Sequence, residues 1–351
     1  MSTGWEREYL KNKKIYDAIF SDVMCQKKQD LNSFVWFENE IRNIIPQRKH
    51  IVPTASGTDA LVIALRALDI GPGDEVLVTA FSWISSASAV LLVGATPVFC
   101  EICPKTYHMD FNSIKKMTME KTKAIIFPYL FGNMSVVSQI TEFCDSLGIH
   151  FIEDACQSIG SKVFGEPAGS HGIISTLSFN SNKNISGVTG GGALLTNDEK
   201  VESQARKMIQ HGENEMLGYN SKMYLLNAEI IIYRLSFLEI WQACRQRLAK
   251  RLDSFFLSLG YRIQSMPIVE HNYHKYVVQF PDNRTREKWR KELKAPVHYD
   301  TCLNHLPMFR NCRSDATPIA EHLSNTILTI PMNHMTTSEE IDTLIEKMEN
   351  V

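Results

Sequence analysis

No run of about eighteen apolar residues, the length a helix needs to cross a bilayer, occurs in the sequence; the longest apolar stretches are broken by Gly or Asp. The opening residues, Met1 to Lys14, are charged and lack the apolar core of a secretion signal. A soluble cytoplasmic protein is expected, with no membrane partner. An excess of one charge is also missing. The 37 Lys and Arg against 39 Asp and Glu leave a formal net charge of −2, which offers no general basic field to nucleic acid. Small molecules and copies of the same chain are the expected partners. The 8 cysteines are scattered, and the one CxxC, Cys100 to Cys103, has no second pair to complete a zinc site. Free thiols and no metal are expected. Internal repeats and low-complexity tracts are absent as well.

What is present, from Ile51 to Asn197, is an alternation of β-type apolar runs with helix-like segments, the pattern of a parallel sheet covered on both faces. Strands are expected at 75–81, 95–102, 123–130, 150–156, 174–179 and 191–197. Helices are expected at 59–70, 86–94 and 135–148, closed by Gly71, Gly94 and Gly148. From Ala228 to Gly260 apolar residues recur at three- and four-residue spacing with basic residues opposite, which reads as one connecting helix. Beyond it, short strands (261–266, 274–280, 326–332), a charged helix (283–294) and a last helix opened by a Thr337/Glu340 capping box predict a smaller α+β domain. The fold class is therefore α/β, a mainly parallel central sheet in a large domain (1–245) with a smaller C-terminal α+β domain (246–351).

Open parallel sheets bind ligands outside the carboxyl ends of their strands. Ser56-Gly57-Thr58, ahead of a helix, offers amides and a hydroxyl suited to phosphate, although an ordinary N-cap explains it equally well. Asp154, after Glu153 at a strand end, can hold a cationic ring nitrogen or a metal, or serve as a helix cap or ion-pair partner. Trp83 can stack on a flat ring or belong to the core. Lys183 sits in a polar, Gly-rich loop between two β runs. Desolvated in a cleft, a lysine becomes a nucleophilic amine; in solvent it is merely a loop residue. The set is what carries information, because pyridoxal phosphate needs a phosphate cradle, a stacking face, a carboxylate on its ring nitrogen and a lysine for a Schiff base.

These residues, with segments 55–76, 94–110, 122–132, 151–161, 178–183, 190–198, 218–223 and 330–342, make the chain resemble the sugar-nucleotide aminotransferases of the DegT/StrS family from about residue 35 onward. The resemblance implies a fold type I pyridoxal-phosphate enzyme. It implies Lys183 as the Schiff-base lysine and Asp154 as partner of the ring nitrogen. Gln157 would face the ring's phenolic oxygen, Trp83 would lie over the ring, Gly57, Thr58 and Ser178 would bind phosphate, and Asn220 would reach the phosphate of a neighbouring subunit. It further implies a homodimer with active sites at the interface, and a role for His298, Tyr299 and His305 in the substrate-facing region, where a structural loop histidine is the competing reading.

The implied reaction moves an amino group from an amino acid, glutamate, to a nucleotide-linked keto-deoxysugar, for a surface glycan such as lipopolysaccharide or for a natural product. A sugar dehydratase of the same family is the alternative, but such members carry histidine in place of Lys183; a catalytically silent binding homologue is another. Departures from the family pattern are Lys222 and Asn227, where Arg and Gln are usual, the segment 36–52, which lacks the usual Gly turn, and Pro128 to Gly132. Lysine keeps the charge of arginine but not its planar fork. No substrate role is carried onto Tyr129.

Overall fold

The apolar runs do become strands, and their burial explains why they are continuous rather than alternating. In a computed structural model, which describes residues 4–25, 31–264 and 268–349, α1 (Gly4–Met24) and α2 (Leu31–Ile44) precede β1 (His50–Thr54). Then α3 (Gly57–Ala67), β2 (Glu75–Thr79), α4 (Ser85–Leu92), β3 (Thr96–Cys100), α5 (Phe111–Met117), β4 (Thr122–Pro128), α6 (Ser138–Leu147) and β5 (His150–Asp154) alternate. A small ribbon, β6 (Lys162–Val163) and β7 (Glu166–Pro167), leads to β8 (Ile174–Ser178), β9 (Gly192–Thr196) and α7 (Glu199–Met208). The central sheet has 7 strands in the order β1-β9-β8-β5-β4-β2-β3. Pairs from β3 through β8 are parallel, whereas β9 runs antiparallel to both β8 and β1.

Every position of β4 except Lys123 is buried, as expected of a strand covered on both faces. One face packs Phe37, Ile41, Leu77, Ile125 and Ile231; the other packs Leu61, Val76, Val90, Ile126 and Ile152. Neighbouring residues on a strand point to opposite faces, so each β run divides its side chains between these cores.

The helical segment 228–260 is two helices, not one: α8 (Leu225–Leu235) and α9 (Leu238–Ser258). The break has a local cause. The Ser236 hydroxyl donates to Tyr233 O at 2.7 Å, competing with the backbone ladder. α8 and the start of α9 join the central-sheet core through Ile231 and Leu238, whereas Leu248, Leu252 and Phe256 of α9 join the C-terminal one.

The C-terminal part comprises β10 (Arg262–Ile263), β11 (Val269–Glu270), β12 (Tyr276–Gln279), α10 (Asn283–Leu293), α11 (Pro318–Thr326), β13 (Ile327–Ile330) and α12 (Ser338–Glu349). Of the strand expected at 261–266, Ser265 and Met266 lie outside the described residues. Strands β10, β12 and β13 form a 3-stranded sheet, and the Thr337/Glu340 capping box closes reciprocally at 3.0 and 3.2 Å. A boundary after residue 245 falls inside α9. Past that point the chain returns to the large sheet: Leu303 N–H donates to Ala80 O at 2.8 Å and Phe99 N–H to Arg313 O at 3.0 Å. Between the thiols of the CxxC, Glu101 accepts from Ile319 and Ala320 N–H at 2.7 and 3.0 Å, tying α11 to the end of β3.

Candidate active site

The adjacent carboxylates at the end of β5 part company by strand alternation. Glu153, fully buried, accepts from Gly169 N–H (2.7 Å), His171 N–H (2.8 Å) and Ser175 Oγ–H (2.8 Å). Arg48, 3.8 Å away and also buried, holds the same loop by donating to Gly169 O and Gly172 O. That pair is structural. Asp154 faces the other way, where it accepts from Ser86 Oγ–H (3.0 Å) and Cys156 N–H (3.2 Å). It is buried and has no cation within ion-pair distance among the described residues.

Beside it lies an anion cradle. Ser56 caps α3, its Oγ accepting from Asp59 N–H at 3.0 Å, while the first-turn N–H groups of Gly57 and Thr58 find no acceptor among the described residues. The hydroxyls of Thr58 and Ser85 meet at 2.8 Å, and Ser178, at the end of β8, comes against Gly57. A Cβ on Gly57 would stand 2.8 Å from Ser178 Cβ and 3.1 Å from Cys156 Sγ, so only glycine leaves the cradle open.

Lys183 is half-buried in the loop between β8 and β9, its N–H donating to Asn180 O at 2.8 Å. Burial pushes its amine below the ordinary lysine range, against the opposing pull of Cys156 and Asp154. The chain on its C-terminal side is clamped in three places. Asn184 Nδ2 donates to Asn272 O (3.2 Å), Ser186 O accepts from Arg234 Nη1 (2.9 Å), and the N–H groups of Val188 and Thr189 donate to Asn227 Oδ1 (3.0 and 3.2 Å). Asn227, a departure from the family pattern, is thus an acceptor that fixes the lysine loop.

Gln157 accepts from Phe131 N–H at 2.8 Å and donates to Tyr299 Oη at 3.1 Å. The Tyr299 ring stacks on Phe131 (6.2 Å, 19°) and lies 6.4 Å from Trp83. Trp83 is 58% exposed, so one face of its indole remains free. His298 Nδ1 meets Thr329 Oγ1 at 2.8 Å, and burial, aided by Lys275 and Lys183, pushes its imidazole down to about 4. These groups converge on Lys183 and Asp154. Two do not. His305 is exposed and faces Glu321 at 3.2 Å, because the chain turns away through Cys302 to Leu306. Asn220 and Lys222 are exposed in a loop whose Ser221 O accepts from Ala55 N–H at 2.7 Å.

Some residues gave no warning in the sequence. Glu8 of α1 and Arg234 of α8, 1% and 2% exposed, pair with Nε–Oε1 at 2.8 Å; Tyr16 and His334 also bond Glu8, and Trp5 lies 3.5 Å over the guanidinium. Through Arg234 this clamp reaches Ser186. Its one signal was a basic residue after the apolar run 230–233. A cavity of about 460 Å³ beside Lys183 is lined by Trp5, Arg234, Arg245, Lys275, Thr329 and Met332, among others. Arg245 and Lys275 were likewise unforeseen.

Residues 26–349 match the model of the DegT/DnrJ/EryC1/StrS aminotransferase family. The UDP-N-acetyl-3-dehydro-α-D-glucosamine 3-aminotransferase of Acidithiobacillus ferrooxidans is 34% identical, over 81% of this chain and 79% of that protein. The UDP-2-acetamido-2-deoxy-3-oxo-D-glucuronate aminotransferase of Pseudomonas aeruginosa is 32% identical, over 81% of each. The solved NtdA of Bacillus subtilis, which carries bound cofactor PMP, is 25% identical with a TM-score of 0.88, covering 97% of this chain and 82% of that one.

Proposed function

The chain belongs to the DegT/DnrJ/EryC1/StrS aminotransferase family, a pyridoxal-phosphate enzyme of fold type I, and from that premise we propose how its residues carry out transamination of a nucleotide-linked keto sugar. The residues fit the cofactor. Gly57 keeps open a cradle that a Cβ would fill, the N-terminal amides of α3 point at it with the hydroxyls of Thr58 and Ser178 alongside, and Asp154 is a buried carboxylate with no cation within ion-pair distance among the described residues. The single observation that carries the reading is the meeting of Gly57, Ser178 and Cys156, which brings the cradle beside Asp154 through Cys156 N–H at 3.2 Å and beside the head of the lysine loop through Asn180 N–H and Ser178 Oγ at 3.5 Å.

When bound, pyridoxal phosphate supplies an aldehyde for an amine and a ring that accepts the electron pair of a substrate C–H bond. Gly57, Thr58 and Ser178 would hold its phosphate and Asp154 its ring nitrogen, and Trp83 and Gln157 would contact the rest of the ring. Desolvation keeps a larger share of Lys183 neutral, so its Nζ takes a proton from the amino-bearing carbon of the donor and delivers one to the keto carbon of the acceptor. Ser86 and Cys156 N–H orient the Asp154 carboxylate for its part.

The acceptor in this reading is a nucleotide-linked 3-keto or 4-keto sugar, in line with the 3-oxo sugar nucleotides for which two relatives are named, and the donor is glutamate. His298 and Tyr299 stand on the substrate side; His305 belongs to the rim. A homodimer completes the reading: Asn220 and Lys222 are exposed beside Leu217 and Tyr224, which are 95% and 71% exposed, a surface suited to a second subunit's phosphate site. A cytoplasmic place agrees with the free state of the cysteines, and the amino sugar in this reading enters a surface glycan or a natural product.

The test is spectroscopic. Purified protein given pyridoxal phosphate should develop a visible band, and borohydride should fix the cofactor's mass on the peptide containing Lys183. The Lys183→Ala variant should do neither. Glutamate should bleach the band, and a panel of nucleotide-linked 3-keto and 4-keto sugars should restore it selectively. A wild-type protein without the band at saturating cofactor would sink the proposal.

A further inference from the structure

The cavity beside Lys183 holds more positive charge than the fold itself answers. Arg234 on its wall is matched by Glu8, but no Asp or Glu is among the lining residues. Arg245, on α9, is 5% exposed; its Nη1 donates to Tyr273 O at 3.1 Å, its Nε has no hydrogen-bond partner, and no carboxylate lies within ion-pair distance of it among the described residues. Lys275, half-buried just ahead of β12, is placed by its backbone N–H donating to Phe131 O at 3.1 Å. Its ammonium has neither a carboxylate nor a hydrogen-bond acceptor among the described residues.

Cations left in this state are costly, because burial removes hydration without returning a counter-charge. Burial and the proximity of Arg245 and Lys183 push Lys275 down to about 8, and burial alone pushes Arg245 down to about 10. Both therefore still carry charge at neutral pH. Burial holds the nearby imidazoles of His274 and His298 well below the ordinary range, so they remain neutral there. An unpaired, buried cation pair in the reaction cavity is better explained by a ligand than by stability.

We propose that Lys275 and Arg245 form a carboxylate-binding subsite facing Lys183, which takes the acid group of the amino donor or of a uronic-acid acceptor. The inference rests on the aminotransferase reading. The cofactor's phosphate is already provided for at the start of α3, none of whose residues lines this cavity. The carboxylate of an α-amino acid is bonded to the reacting carbon itself, and that of a uronate hangs from the ring on the side away from the glycosidic oxygen that carries the diphosphate. Lys275 and Arg245 share a cavity with the amine that acts on that carbon, so a carboxylate is the anion the spacing accommodates.

Calorimetric titration of the pyridoxal-phosphate-loaded enzyme with glutarate, UDP-glucuronate and UDP-N-acetylglucosamine tests this. Lys275→Met removes the charge at nearly constant volume and Lys275→Arg keeps it. Lys275→Met should weaken glutarate, UDP-glucuronate or both by tenfold or more, and leave UDP-N-acetylglucosamine within about twofold; Lys275→Arg should recover most of the loss. A loss confined to glutarate assigns the subsite to the donor, and one confined to UDP-glucuronate assigns it to the acceptor. Unchanged affinities, or an equal loss for both nucleotide sugars, would overturn the carboxylate assignment. The visible band on Lys183, recorded in the same samples, reports the cofactor reading separately: its persistence with unchanged carboxylate affinity condemns the subsite alone.

Discussion

Gly57 stands where a Cβ would approach the Cβ of Ser178 to 2.8 Å. Its φ is not in the left-handed region, so alanine meets no backbone strain there and the clash falls on the cradle alone. Gly57→Ala should therefore cost about 1–3 kcal/mol of stability through overpacking against Ser178 and lower pyridoxal-phosphate affinity at least tenfold. An absorbance titration checks it; wild-type affinity in a folded variant would refute the cradle.

Glu8 carries a prediction about stability. Burial raises its carboxyl, but hydrogen bonds from His334 and Arg234 outweigh burial and leave it below the ordinary range. Glu8→Gln leaves the Arg234 charge buried without its counter-ion, at a cost of about 3 kcal/mol. A group so depressed contributes stability above its unfolded value, lost as pH falls through its folded one. The acid limb below the ordinary glutamate range should accordingly flatten in Glu8→Gln, as read by urea titration at several pH values. The double variant Glu8→Met with Arg234→Met should recover much of the loss; a Glu8→Gln protein as stable as wild type would show the pair to be idle.

Asn227 is the acceptor for two N–H groups beyond Lys183. Asn227→Ala should cost about 1–3 kcal/mol by stranding them, and should raise amide exchange at 188 and 189. Asn227→Asp keeps an acceptor oxygen and should hold exchange near wild type. Equal protection in all three proteins would show that the loop is held elsewhere.

Lys275 sets a base-side pH dependence. Its folded value, about 8, lies below the ordinary 10.5, so the folded state sheds a proton that the unfolded chain keeps between those values. Lys275 should therefore cost the unliganded protein roughly 1–3 kcal/mol less at the top of that window than at pH 7, against the opposing trend of the Cys100, Cys144 and Cys302 thiols, which burial pushes up. Lys275→Met should be the more stable protein at pH 7, with its advantage shrinking across the window. Parallel stability profiles for the two proteins would contradict this.

The legible and the illegible divide along sequence distance. The strands, the Gly stops and the capping box at Thr337 depend on neighbours a few residues apart, and hydrophobic period and turn chemistry report those directly. Strand alternation also implies that Glu153 and Asp154 face apart. The roles of Lys183, Asp154 and Gly57 became readable only as a set, carried by resemblance. Glu8 and Arg234 lie 226 positions apart, and Lys275 and Arg245 are ordinary surface types whose burial no local pattern announces. His305 faces Glu321, a contact that its spacing from Tyr299 does not encode. The break at Ser236 was hidden because both halves of that segment keep a helical period.

The loop bearing Lys183 is tied to Asn272, to Asn227 and, through Arg234, to Glu8. A nascent chain emerging only as far as β9 would already contain the lysine, the cradle and the carboxylate, yet would lack all three ties that hold the loop after Lys183. The amine therefore takes its working position only once segments from both ends of the chain have docked, and the ability to capture the cofactor becomes a signal that folding is complete.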